Sequence, residues 1–191
     1  MKKTKLGFSL IEVLTVLAIL GLILPALFIS IISVIREQAK LLAIQNLLEN
    51  STETVDAIKT YIEKNNSNYT SKVRAVGVAN PTNVIELDVG GKITSNNGLY
   101  IEYNKSPVPT YTLTILTNEN KISVYENLTE NKLTDNNISI ENFQISAEKL
   151  NGDNILIEYS FNSIYRTSSL TVPTMMFKGS TILKINQFKL E

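Results

Sequence analysis

Few residues in this chain have the type and spacing to do covalent chemistry. Its 191 residues include no histidine and no cysteine, which removes the commonest general base, the commonest metal ligand and the thiol nucleophile. Ser146-Ala147-Glu148-Lys149 has the Ser-x-x-Lys spacing used by one class of acyl-transfer enzyme. A match of that length arises readily by chance, and the companion motifs are absent. Asp135-Asn136-Asn137 and Asn151-Gly152-Asp153-Asn154 offer oxygen ligands of the kind calcium takes. Neither follows an EF-hand loop, and turn chemistry accounts for both. There is no glycine-rich phosphate loop, and the lysines are scattered, so no nucleic-acid face is evident. No cofactor and no metal are expected, and the chain does not read as an enzyme.

What remains is one carboxylate in an unusual setting. Glu12 is the single charge in the 28 residues from Phe8 to Ile35. As a helix this run would be roughly 42 Å long at about 1.5 Å per residue, more than the ~30 Å hydrocarbon core of a bilayer. A membrane span is the expectation. Lys2, Lys3 and Lys5 precede it with no acidic residue among the first seven, so the positive-inside tendency keeps that end in the cytoplasm and exports the bulk. A cleaved secretory signal would have an apolar core of only ~7–15 residues closed by a small-x-small site. Here the run is too long for that, and a span that stays with the protein is favoured.

The order Lys5-Leu6-Gly7-Phe8-Ser9-Leu10-Ile11-Glu12-Val13-Leu14 resembles the class III signal of the type IV pilin superfamily. That superfamily holds pilins, the pseudopilins of type II secretion and the pilins of DNA-uptake systems. The resemblance covers the N-terminal helix. It implies that Gly7 lies before the bond cut by a membrane aspartic peptidase, the prepilin peptidase, and that Phe8 becomes the new, N-methylated terminus. It also implies that Glu12 meets the amine of a neighbouring subunit and sets the register of assembly. The implied partners are other pilin or pseudopilin subunits through the N-terminal helix, the prepilin peptidase, the lipid bilayer and the inner-membrane assembly platform.

Physical reasons fit these positions. Glycine before a scissile bond lets an extended backbone enter a cleft. A bare charge at the edge of lipid is expensive, and pairing relieves part of that cost. A plainer reading of Glu12 stands beside this one: Ser9-Leu10-Ile11-Glu12 fits a capping box, and a carboxylate suits the first turn of a helix. Both can hold together. Gly21 and Pro25 lie four apart in the span, and the proline leaves the Gly21 carbonyl without its helical donor, so a kink or local melting is expected there.

Beyond the span, Leu41, Ile44, Leu48, Val55, Ile58 and Ile62 follow a 4–3 spacing, with Ser51 in the gap. This predicts one face of an amphipathic helix, with Glu49, Glu53, Lys59 and Lys64 off the stripe. No glycine or proline interrupts Ala26 to Lys64, so one helix is expected until Asn65-Asn66-Ser67-Asn68. Strand patterns follow at Val73–Val78, Val84–Val89, Leu99–Tyr103, Tyr111–Leu116 and Ile122–Tyr125. Asn80-Pro81, Gly90-Gly91, Asn96-Asn97-Gly98 and Pro107-Val108-Pro109 punctuate them. Alternation then runs through Ile138 and Ile140, shifts phase by one at Phe143 and Ile145, and resumes at Ile155, Ile157, Tyr159 and Phe161. Asn151–Asn154 between them reads as a hairpin turn. Thr181–Leu190 reads as either a strand or a helix.

The expected class is α+β: a long N-terminal helix, transmembrane in its first half, followed by an antiparallel β-sheet head of the pilin type. The expected parts are a cytoplasmic leader (1–7, removed), a transmembrane and assembly helix (8–35), an amphipathic continuation (36–64) and an extracytoplasmic β-rich head (65–191). Charges balance at 18 basic and 18 acidic, so nothing pulls the whole chain toward nucleic acid. Without a cysteine there is no disulfide framework. The length, the absent cysteine pair and the late strand pair resemble the larger minor pseudopilins, particularly the J type of tip complexes. The implied role is a minor pilin or pseudopilin of a pilus, secretion or DNA-uptake filament, held in the plasma membrane until assembly. The rival is a single-pass, signal-anchored binding module, outside the cytoplasm, that never polymerises.

Overall fold

A computed structural model describes residues 9–64, 69–76, 91–105, 108–150, 154–166 and 172–184. The chain divides into two compact units, Met1–Leu42 and Ala43–Glu191. Helix α1, Leu10–Lys64, supplies the described part of the first unit and enters the second. It ends at Lys64, ahead of the Asn-rich stretch that was expected to stop it. That stretch, 65–68, lies outside the described residues.

In the second unit the helix carries two antiparallel sheets. The five-stranded sheet has the order β1-β3-β4-β5-β6, from Tyr69–Ala75, Gly98–Lys105, Val108–Asn118, Lys121–Glu126 and Thr129–Lys132. The four-stranded sheet has the order β2-β7-β8-β9, from Lys92–Ser95, Ile138–Lys149, Asn154–Tyr165 and Met175–Lys184. The α+β layout is as expected, but the head is built from two sheets rather than one. β2 and β6 escape a hydrophobicity reading because Lys92-Ile93-Thr94-Ser95 and Thr129-Glu130-Asn131-Lys132 carry one apolar residue between them. β1 starts and ends earlier than Val73–Val78, and β4 begins at Val108, so Val108 and Pro109 open β4, while residues 106–107 between β3 and β4 lie outside the described residues. Thr181–Lys184 is strand, the end of β9. The expected strand at Val84–Val89, residues 185–190 and the turn at 151–153 lie outside the described residues.

The inward faces alternate as the pleat requires. Leu99, Ile101 and Tyr103 of β3, Leu113 and Ile115 of β4, and Ile155, Ile157, Tyr159 and Phe161 of β8 are all buried in one core. The phase shift in β7 is real and has a mechanism. Register breaks between Glu141 and Gln144, and Asn142 takes a left-handed φ of 50°, a conformation asparagine tolerates. This β-bulge lets Ile138 and Ile140 before it, and Phe143, Ile145 and Ala147 after it, all reach the core.

The helix stripe differs from expectation. The buried residues are Ala43, Leu47, Ser51, Thr54, Ile58 and Ile62, with Ile44 and Val55 half-buried. Leu41 and Leu48, expected on the stripe, are 59% and 43% exposed. A count of apolar residues passes over Thr54, but its hydroxyl can be buried because it donates into Asn50 O at 2.8 Å and lies 3.2 Å from Leu133 O. Ser51 Oγ likewise pairs with Ser163 Oγ of β8 at 2.8 Å. Partnered hydroxyls cost little to bury, so the face rotates toward them. Glu49, Glu53, Lys59 and Lys64 are exposed, as expected.

Candidate processing and assembly site

The first described turn builds itself from Ser9. Ser9 precedes α1 and stands as its N-cap, with its carbonyl accepting the N–H of Glu12 at 3.0 Å and of Val13 at 3.3 Å. Its Oγ accepts the Ile11 N–H at 3.4 Å. In return, Glu12 Oε2 accepts the N–H of Ser9 at 2.9 Å. This is the reciprocal capping box that the residue types predict. The carboxylate thus lies over free N–H groups at the positive end of the helix dipole. Three residues on, Thr15 Oγ1 donates to Ile11 O at 2.7 Å, which satisfies a hydroxyl inside an apolar run. Gly7 and Phe8 lie outside the described residues, so of the three residues singled out in the sequence, Glu12 is the one given a position.

From Leu10 to Gln38 every residue of α1 is exposed, including Leu14, Leu17, Leu22, Phe28, Ile29 and Ile35. A contiguous apolar surface of that size is not left to water and marks contact with lipid or with another protein. Among the described residues, α1 is the one helix long and apolar enough to cross a membrane. It runs unbroken through Gly21 and Pro25, so the local melting expected there does not occur. Proline removes one donor, and the turns on either side of it remain intact. A side chain added at Gly21 would meet nothing within 4 Å, so the glycine lies on an open surface of the helix.

The other candidate chemistry does not assemble where it falls on described residues; Asn151, Gly152 and Asp153 lie outside them. Ser146 and Lys149 sit three apart on β7, and in a strand such residues point to opposite faces, so a nucleophile–base pair cannot form. At Asp135-Asn136-Asn137 the Lys121 ammonium donates to the carbonyls of Asp135 and Ile138. Asp135 Oδ1 accepts the Asn136 N–H at 2.5 Å. Two backbone carbonyls of this turn are therefore already held by a lysine, whose own pKa is lowered by burial and by the nearby Arg166. No group of three acidic side chains is placed to hold a metal among the described residues.

Residues 2–24 match the family described as the prokaryotic N-terminal methylation motif. No curated protein and no solved structure matches the chain. With the exposed apolar helix that begins inside it, the matched segment is a type IV pilin-type signal, borne on an α+β protein.

Proposed function

We propose that the chain is the precursor of a membrane-anchored pilin-like subunit, a minor pilin or pseudopilin, that is processed between Gly7 and Phe8 and then built into a filament. The match of residues 2–24 to the methylation motif carries this reading. Hydrolysis of the Gly7–Phe8 bond frees the amine of Phe8 for N-methylation and removes the leader 1–7. The helix from Phe8 to Ile35 stays in the bilayer, with its leader end cytoplasmic and the head outside. Residues 36–64 continue the helix, and the β-rich part from residue 65 is the exported surface. Glu12, held at the helix start by Ser9 N–H, is the group that meets the amine of a neighbouring subunit. The implied partners are the prepilin peptidase, other pilin subunits and the assembly platform of the membrane.

The test is the N-terminus of the protein recovered from membranes, read by mass spectrometry with and without a prepilin peptidase. A chain that begins at Phe8 only when the peptidase is present supports the proposal. A chain that keeps Lys2–Gly7 in both cells sinks it and leaves a plain signal-anchored module.

A further inference from the structure

The face of the four-stranded sheet that points away from the core carries a groove of about 570 Å³. Cross-strand register explains it. Thr94 of β2 lies opposite Ser146 of β7, Ser146 opposite Glu158 of β8, and Glu158 opposite Ser180 of β9. In the next row Gln144 faces Ser160, and Ser160 faces Lys178. Short hydroxyl side chains therefore floor the middle of the sheet, between the longer Lys92, Gln144 and Lys178. Ser146 is 8% exposed, lines the groove, and its hydroxyl has no hydrogen-bond partner among the described residues. Open to the groove, that hydroxyl is free to bond water or a ligand.

Charge in the groove is divided. The Lys92 ammonium lies 3.3 Å from Glu148 and 3.6 Å from Glu158, so its charge is already matched. Lys178 has no ion pair among the described residues and borders Ser160 and Ser180. We propose that this groove binds an acidic glycan strand, with sugar hydroxyls on Ser146, Ser160, Ser180 and Thr94 and a ring carboxylate on Lys178. Hydroxyl groups that both donate and accept, repeated at about 4.8 Å from strand to strand, suit a polyhydroxylated chain. A lipid or aromatic ligand would leave them stranded. A peptide would find its main-chain partners at a sheet edge, not on a face.

Isothermal titration of the full chain in detergent micelles, with oligogalacturonate and with neutral maltohexaose, tests this. Saturable binding of the acidic oligosaccharide is expected, with the neutral one about tenfold weaker or more. Lys178→Gln, an exposed change that spares the core, should weaken the acidic ligand about tenfold. Ser180→Leu should block the groove, while Lys132→Gln on the other sheet leaves binding unchanged. Thermal melts of each variant report folding. Absence of saturable binding, equal binding of the two sugars, or indifference to Lys178→Gln in a folded protein would each overturn the proposal. It stands apart from the filament reading, because binding needs neither processing nor assembly.

Discussion

Tyr159 lays its ring against Gly179, its cross-strand partner, so closely that a Cβ on Gly179 would lie 2.5 Å from the ring carbons. The same tyrosine donates its hydroxyl to Val55 O of the helix at 2.7 Å. One side chain therefore ties β8 and β9 to the helix that packs on them, and only glycine leaves room for it. Gly179→Ala should destabilise the head by about 1–3 kcal/mol through overpacking. Tyr159→Phe, which keeps the ring and removes one hydrogen bond, should cost about 1 kcal/mol. Thermal unfolding followed by near-ultraviolet circular dichroism would rank the two, and a Gly179→Ala protein as stable as the parent would contradict this packing.

The buried tyrosines give the head an alkaline limit. Burial, helped by Asp56 and Glu63, raises Tyr159 from 10.0 to about 12. Burial also raises Tyr103, whose hydroxyl has no partner among the described residues. The folded state therefore holds these protons more tightly than the unfolded chain. Their contribution is fully present below about pH 10 and is lost as pH rises through the folded values. Stability should fall above pH 10, and the tyrosinate absorbance of Tyr159 should appear late and together with unfolding. A smooth titration of all eight tyrosines near the ordinary value, in a still-folded protein, would refute it.

The role proposed for Glu12 in assembly can be parted by substitution from its capping of the helix. Glu12→Gln keeps the capping box, since glutamine fills that position as well, but removes the charge. Glu12→Ala removes both and should cost the helix start about 0.5–2 kcal/mol. Helicity and membrane retention should survive in Glu12→Gln, while incorporation into filaments, scored in sheared surface fractions, should be lost in both. Normal assembly of Glu12→Gln would mean that the carboxylate serves the helix alone.

Neighbouring leucines on the helix should behave oppositely. Leu47 is fully buried and Leu48 is 43% exposed. Leu47→Ala should cost the head about 2–5 kcal/mol, and Leu48→Ala less than about 0.5 kcal/mol. Denaturant midpoints would decide, and equal losses would restore the stripe that spacing alone suggests.

That stripe marks where the sequence could be read and where it could not. Ile58 and Ile62 were legible because an apolar residue at helical spacing has one sensible place to go. Thr54 and Ser51 were not equally so, because whether a hydroxyl can be buried depends on Leu133 and Ser163, which are distant in sequence. The strong alternations of β7 and β8 declared themselves, phase shift included. β6 could not, since its four polar residues are strand only because β5 lies alongside. Of the candidate processing site, the capping box was written in Ser9 and Glu12 and folds as written. The groove was invisible, because Ser146, Ser160 and Ser180 come from three strands and become neighbours only through register.

The bulge at Asn142 acts as a frame correction. Were Asn142 drawn into the regular pleat instead, every side chain from Phe143 onward would change sides, turning Ile145 and Ala147 to water and Gln144, Ser146 and Glu148 into the core. The chemistry of one whole sheet face thus depends on one residue, Asn142, keeping its left-handed conformation and staying out of the pleat. Deleting Gln144 should do more harm than any single substitution along the strand, because it would invert everything from Ile145 onward, whereas deleting Asn142 would leave Phe143 following Glu141 in ordinary alternation.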